Sequence, residues 1–251
     1  MHLAASLISG SRDADIKMFG DALGTYVVVD LLRASAVICT ALANGASEII
    51  PVADVDEART LRDKFGDERT LLCGERGGRK LPGFDLGNSP AEYTPEAVSG
   101  RRIIHASTNG SPALTAAPAD TEVMVAGLVN LSAAAAHIAR IGRPTLIVCA
   151  GKVSRFALED AVAVGALIAR LWETDVELEL VNDGAGAAQA LWDRFKSDPG
   201  VPVWQSEHGR FLISLGFGSD LSVCTDIDSV PVVPVMRDGR LVAEASKGPA
   251  V

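Results

Sequence analysis

Short apolar runs return along this chain, and most are followed by a stretch with helical spacing. Residues 26–30, 48–52, 70–73, 102–106, 122–126, 145–149 and 221–224 read as strands. Residues 35–43, 55–65, 131–141, 157–172, 185–195 and 208–215 read as helices. Strands alternating with helices point to an α/β protein with a mostly parallel sheet covered by helices. The tail VPVMRDGRLVAEA reads as a hairpin turning at Asp238-Gly239, which would make the sheet mixed at one edge. No linker or repeat interrupts the pattern, so residues 1–251 read as one domain. Residues 74–95 form the one long irregular segment, and long loops inside compact domains are often functional.

Such a sheet collects its ligands at the carboxyl ends of its strands. In VVVDLLRAS, residues 27–35, Asp30 ends a buried-looking strand and Arg33 stands where the next helix should begin. A carboxylate there can hold a metal or attack phosphorus, and a guanidinium can grip an oxyanion through its fork of donors. The plainer alternative is that Asp30 caps the helix and Arg33 is solvated. The same rim would receive Glu75, Arg76, Arg79 and Lys80 after the third strand, and Ser107 to Ser111 after the fourth. Gly127 with Asn130 would follow the fifth, and Gly151 with Glu159-Asp160 the sixth. Thr108-Asn109-Gly110-Ser111 could offer N–H groups and hydroxyls to a phosphate, or be an ordinary Asn-Gly turn. Glu159 and Asp160 either complement a helix dipole or serve a metal. Asn130 suits the N-cap of helix 131–141. His208 could act as a general acid near neutral pH, or merely pack.

Composition narrows the function. The formal charge of −9 argues against nucleic acid, whose binding rests on neutralised phosphates. It leaves room for a small anion met by local arginines or by a divalent cation. No apolar run approaches the roughly 18 residues of a membrane span, and the N-terminus is too polar for a signal peptide. The four cysteines lie in apolar stretches without zinc spacing, so they read as reduced thiols of a cytoplasmic protein. The four histidines form no metal-binding pattern either.

Familiar phosphate devices fail to match. Cys73 to Arg79 fits C-x5-R, yet Glu75 would put a carboxylate inside a loop meant for a dianion. Leu81-Pro82-Gly83 follows where a helix should start. The phosphate-binding G-x-x-x-x-G-K-[ST] loop is absent. So is a D-x-D strand end, since Asp30 is followed by Leu31-Leu32.

Taken in order, VVVDLLRAS, GERGGRKLPGFDLGNSP, STNGS, GLVN, CAGKVSRFALEDAVAVG and SEHGRFLISLGFGSDL resemble the 2-phosphosulfolactate phosphatase (ComB) family. The resemblance runs from about Tyr26 to Asp228. It implies a three-layer α/β/α fold and a magnesium-dependent phosphatase that converts 2-phospho-3-sulfolactate to 3-sulfolactate, as in coenzyme M biosynthesis. One departure is that Ser111-Pro112-Ala113 stands where the family often has Thr-Arg-Ala.

The combined expectation is a cytoplasmic Mg²⁺-dependent phosphatase for a small anionic phosphate ester. Neither nucleic acid nor membrane is an expected partner, and a homo-oligomer is left open. Asp30 is the first candidate for metal ligand or nucleophile, and Glu75, Glu159 and Asp160 are further metal candidates. Arg33, Arg76 and Arg79 would neutralise the phosphate and the sulfonate, with His208 as the acid. Asn88, Ser89, Thr108, Asn109, Gly110 and Asn130 would supply neutral substrate contacts. Two alternatives remain: a phosphatase of the same fold for another phosphorylated hydroxy acid, and a noncatalytic anion-binding protein.

Overall fold

Successive residues of a strand face opposite sides of its sheet. In the computed structural model, which describes residues 1–153 and 155–244, both faces of the central strands are apolar and buried. Tyr26 and Val28 enter one core cluster, while Val27 and Val29 enter another. Eleven strands form one sheet: β1 His2–Ser6, β2 Thr25–Val29, β3 Glu48–Pro51, β4 Thr70–Arg76, β5 Arg79–Lys80, β6 Arg102–Ala106, β7 Glu122–Ala126, β8 Thr145–Cys149, β9 Glu179–Leu180, β10 Pro234–Arg237 and β11 Arg240–Ala243. Their order is β5-β4-β6-β3-β11-β10-β7-β2-β8-β1-β9.

Helices cover both faces. They are α1 Arg12–Phe19, α2 Ala34–Ala43, α3 Val55–Phe65, α4 Pro95–Val98, α5 Gly110–Thr115, α6 Leu131–Ile141, α7 Leu158–Trp172, α8 Asp183–Phe195, α9 Gly200–Gln205, α10 Glu207–Ser214 and α11 Gly218–Thr225. The mostly parallel, mixed α/β architecture expected from the sequence is present. A helix that is apolar all round belongs inside, and α2, ASAVICTALA, contributes to both main clusters.

Three strand expectations change. Residues 221–224 lie in α11, not in a strand. Leu221 and Cys224 are buried three residues apart while Val223 is exposed, which is the period of a helix face. β1 gives no clear strand signal in the sequence, because its two alanines carry little strand preference. It nevertheless pairs in parallel with β8 and β9. The expected hairpin forms as β10–β11; Ala245, its last expected residue, lies outside the described residues. It does not sit at an edge. It joins the two parallel halves of the sheet in the middle, through Val235 against Met124 and Leu241 against Ile49. The mixed edge is made instead by β5, antiparallel to β4.

That edge pair also removes much of the irregularity expected of residues 74–95. β4 runs on to Arg76 and turns through Gly77-Gly78, both at positive φ, into β5. Just before the turn, Gly74 has φ +145, and a Cβ there would stand 2.0 Å from the Ala106 carbonyl oxygen. Gly74 therefore lets β4 close onto the end of β6, which aligns Glu75 with Thr108. Gly74→Ala should destabilise the protein by about 1–3 kcal/mol through overpacking. Urea unfolding checks this, and an unchanged midpoint would show that the contact relaxes freely.

Candidate active site

A cavity of about 170 Å³ opens at the carboxyl ends of β2, β4, β6 and β8. It is small beside the roughly 300–1,000 Å³ of ordinary ligand clefts, so it suits a small molecule. Asp30, Arg33, Glu75, Asn88, Thr108 and Asn109 line it, together with His208. Gly110 lies beside them. A Cβ on Gly110 would come within 2.8 Å of both Asp30 Oδ2 and Ala34 Cβ, so only a glycine lets α5 approach this closely.

Buried carboxylates line the cavity and stand behind it. Asp30, Glu75, Glu159 and Asp160 are all buried. Two of them are fully engaged with main chain. Asp160 accepts from Leu31 N–H through Oδ1 and from Gly151 N–H through Oδ2, each at 2.9 Å. Glu75 accepts from Thr108 N–H through Oε1 and from Gly78 N–H through Oε2, each at 2.8 Å. Asp30 accepts only a long bond of 3.4 Å from Ala34 N–H to Oδ1. Burial pushes its carboxyl up to about 6; the His208 charge opposes the rise, while Glu75 and Glu159 add to it. Burial also drives Asp160 well above the usual carboxylate range, with Glu159 and Asp30 adding to it.

His208, near the start of α10, is fixed by Glu159 from α7. Its Nδ1 lies 3.2 Å from Glu159 Oε1. A proton on Nδ1 leaves Nε2 as the nitrogen available to a ligand. Asn88 is fixed in a similar way. Its Oδ1 is 3.1 Å from Nε2 of the buried His105, whose ring is held neutral, its pKa lowered by burial to about 4. A neutral ring donating there leaves the Asn88 amide N–H₂ free of that bond. Thr108 adds a buried hydroxyl, Oγ1, with no partner among the described residues. An orphaned donor in a polar cavity calls for a ligand or a water.

The expected arginines do not gather as a trio. Arg33 lines the cavity, but its charge is already met. Nη1 lies 2.6 Å from Asp220 Oδ2, Nη2 donates to Gly78 O, and Phe217 stacks on the guanidinium. Ser89 serves the same pair by donating to Asp220 Oδ1 at 2.7 Å. Arg76 turns away and donates to the carbonyls of Glu75, Ala106 and Ala53. Arg79 stands exposed on β5. Asn130 is not at the cavity either. A fully buried amide must satisfy all its polar groups, and this one accepts from Gly127 N–H and donates to Val125 O and Val232 O. It is the N-cap residue of α6 but makes no side-chain cap bond.

Several site residues are not singled out by the sequence. Lys152 and Phe211 line the cavity, and His105 and Asp220 support it from behind. Lys152 lies three residues past the end of β8, so its position after a strand is a usable signal. Cys73, the candidate thiol of the C-x5-R match, is fully buried on β4, and burial raises it to about 12. A thiol in that state is no nucleophile at neutral pH.

The donor set can be weighed against a magnesium ion. Among the described residues no three His, Cys, Asp or Glu side chains are set to hold a metal together. Magnesium does not need three, since it is bound by one or two carboxylates and completes its shell with water and phosphate oxygens. Asp30 Oδ2, on a cavity-lining residue, and Glu159 Oε2, on the residue behind His208, are the carboxylate oxygens of this group without a hydrogen bond within the described residues. Their buried like charges fit a hard divalent cation.

A family model for 2-phosphosulpholactate phosphatase matches residues 14–239. A protein of Caldanaerobacter subterraneus subsp. tengcongensis is 40% identical over 214 residues, covering 85% of this chain and 88% of its own. One of Thermotoga petrophila is 40% identical over 218 residues, covering 87% and 91%. One of Parasynechococcus marenigrum is 39% identical over 213 residues, covering 84% and 88%. Each is described as a probable 2-phosphosulfolactate phosphatase.

The raised Asp30 carboxyl has a consequence for stability. Its folded pKa of about 6 lies above the unfolded value of about 3.9. The folded protein therefore loses stability as pH rises from about 4 through about 6. An asparagine in its place would carry no such charge. Asp30→Asn should thus raise stability in metal-free buffer at pH 7, on the order of 1–3 kcal/mol. The gain should vanish at about pH 4. Thermal unfolding at both pH values checks this; a destabilised variant at pH 7 would refute it.

Proposed function

Since the chain belongs to the 2-phosphosulfolactate phosphatase family, we propose that it hydrolyses 2-phospho-3-sulfolactate to 3-sulfolactate and phosphate with the help of Mg²⁺. The observation that carries the reading is the His208–Glu159 pair facing Asp30 across one small cavity. It joins a proton carrier, a carboxylate pair for a cation and a pocket of small-ester size.

Asp30 and Glu159 would hold the magnesium ion. Once bound, the ion would withdraw charge from the phosphoryl oxygens and allow an anion onto a floor of carboxylates. Thr108 Oγ1 and the Asn88 amide would orient the phosphate by donating to its oxygens. His208 would hold a proton on Nε2 and pass it to the departing alkoxide oxygen of C2. Glu159 fixes the ring so that Nε2 stays in reach. Gly110 leaves the space in front of Asp30 open. A water molecule would form the new bond to phosphorus as the bond to the C2 oxygen breaks, one of its protons staying on the phosphate and the other restoring His208. The coenzyme M pathway is the setting this substrate suggests, and a cytoplasmic location goes with it.

The direct test is phosphate release from a panel of esters, with 2-phosphosulfolactate as the favoured member. Activity should require a divalent cation, vanish in EDTA and return with Mg²⁺. Full turnover in metal-free buffer would overturn the cation role. Asp30→Asn should lower kcat by about 10²-fold or more, the scale for a preorganised electrostatic group. The same variant should be more stable at pH 7 in metal-free buffer, so lost activity could not be blamed on unfolding. Retention of more than about a tenth of kcat would remove Asp30 from the centre of the site.

A further inference from the structure

Arginine and lysine each contribute one side chain to the cavity lining, Arg33 and Lys152. The two are held in opposite ways. Arg33 is paired with the buried Asp220, and neither charge meets water. Lys152 Nζ lies 3.1 Å from Glu207 Oε1, on a side chain that is 58% exposed. Glu207 also has a second cation, Arg155, at 2.5 Å. An exposed ion pair is screened by solvent and contributes little. Lys152 can therefore trade Glu207 for a ligand anion, and Glu207 keeps Arg155.

The main chain beneath Lys152 is pinned. Gly151 N–H donates to Asp160, Lys152 pairs with Arg155 through N–H···O bonds of 3.0 Å, and Val153 N–H donates to Asn109 Oδ1. The ammonium also rests 4.9 Å from the Phe211 ring centroid, on another cavity wall. Depth separates it from the reacting end. Asp30 and Glu75 line the cavity and are buried, as is Glu159 behind His208, while the Lys152–Glu207 pair reaches solvent through Glu207. A phosphate held at the floor leaves the rest of a small ester near Lys152.

We propose that Lys152 reads a second anionic group of the substrate, a sulfonate or carboxylate carried beside the phosphate ester. This rests on the phosphatase reading above. It gives Lys152 the role expected of Arg76 and Arg79, which the fold keeps out of the cavity.

The test compares wild type, Lys152→Met and Lys152→Arg on three esters: 2-phosphosulfolactate, 2-phospholactate and isopropyl phosphate. They carry two, one and no further acid groups. For Lys152→Met the loss of kcat/KM on 2-phosphosulfolactate should exceed that on isopropyl phosphate by about 10- to 100-fold, the scale of one charge-assisted bond. The loss should lie in KM rather than kcat, and Lys152→Arg should recover part of it. Equal losses on all three esters, or none on the first, would overturn the proposal. Calorimetric binding of 3-sulfolactate supplies an arm without turnover. Weaker binding by Lys152→Met supports the role, and equal affinity refutes it. If wild type hydrolyses no ester, the phosphatase reading fails, and this binding arm still decides the role of Lys152.

Discussion

One carboxylate ties the site together. Asp160 takes the Leu31 N–H on one oxygen and the Gly151 N–H on the other, joining the loops that leave the adjacent strands β2 and β8. Asp30 and Arg33 depend on the first loop, Lys152 on the second. Glu75 performs the same task on the other half of the sheet, binding the Gly77-Gly78 turn to the loop after β6. Carboxylates are unusual main-chain links, because burying them is expensive unless their oxygens are satisfied. Here each takes two N–H groups that strand ends would otherwise leave unpaired. The arrangement fixes the loops and gathers acidic groups around the cavity.

Arg33 and Asp220 form a separate, self-contained pair. Both lie in the interior, and Ser89, Gly78 and Phe217 satisfy what the ion pair leaves over. A buried pair of this kind need not add net stability, but losing one partner typically costs about 3–5 kcal/mol. Its effect is positional. It fastens α11 and the segment around Ser89 to the start of α2, beside the cavity wall. The arginine that the sequence suggested as a phosphate grip is thus better described as a clamp on the wall. Its positive charge is internally compensated, so it cannot offset the carboxylate floor.

Local patterns carried most of the architecture. β2, β6, β7 and β8 announce themselves as β-branched runs, and α3 as a helix capped by Asp54 at its start and Gly66 at its end. What escaped was set by distant partners. The residues of β10–β11 read as a hairpin, but nothing near them says that the hairpin will be inserted between the two halves of the sheet. β1 is a strand because β8 and β9 flank it, not because of its own residues. The site divides in the same way. Asp30 and Thr108 follow strands, Glu75 lies near the end of β4 and His208 near the start of α10, so position alone brought them to the rim. Arg76 and Asn130 occupy equivalent positions, yet main-chain carbonyls claim their donors. Asp220 and His105 act from behind the surface, and no local spacing distinguishes them from packing residues.

The charge balance of the cavity sets its chemistry. Asp30 and Glu75 line it, Glu159 stands behind His208, and its arginine is neutralised by Asp220. A phosphate dianion would be repelled from such a floor. Two cations would reverse this without disturbing the scaffold: the divalent ion proposed for Asp30 and Glu159, and the exchangeable ammonium of Lys152. They lie at different depths and respond differently. The first would be held by buried carboxylates, where its field would act strongly on whatever reacts there. The second is screened at the mouth, where it can select an incoming anion while holding it only weakly. On this proposal a deep charge would serve the reaction and a shallow one discrimination. A small ester with its phosphate at one end and a further acid group at the other can meet both at once.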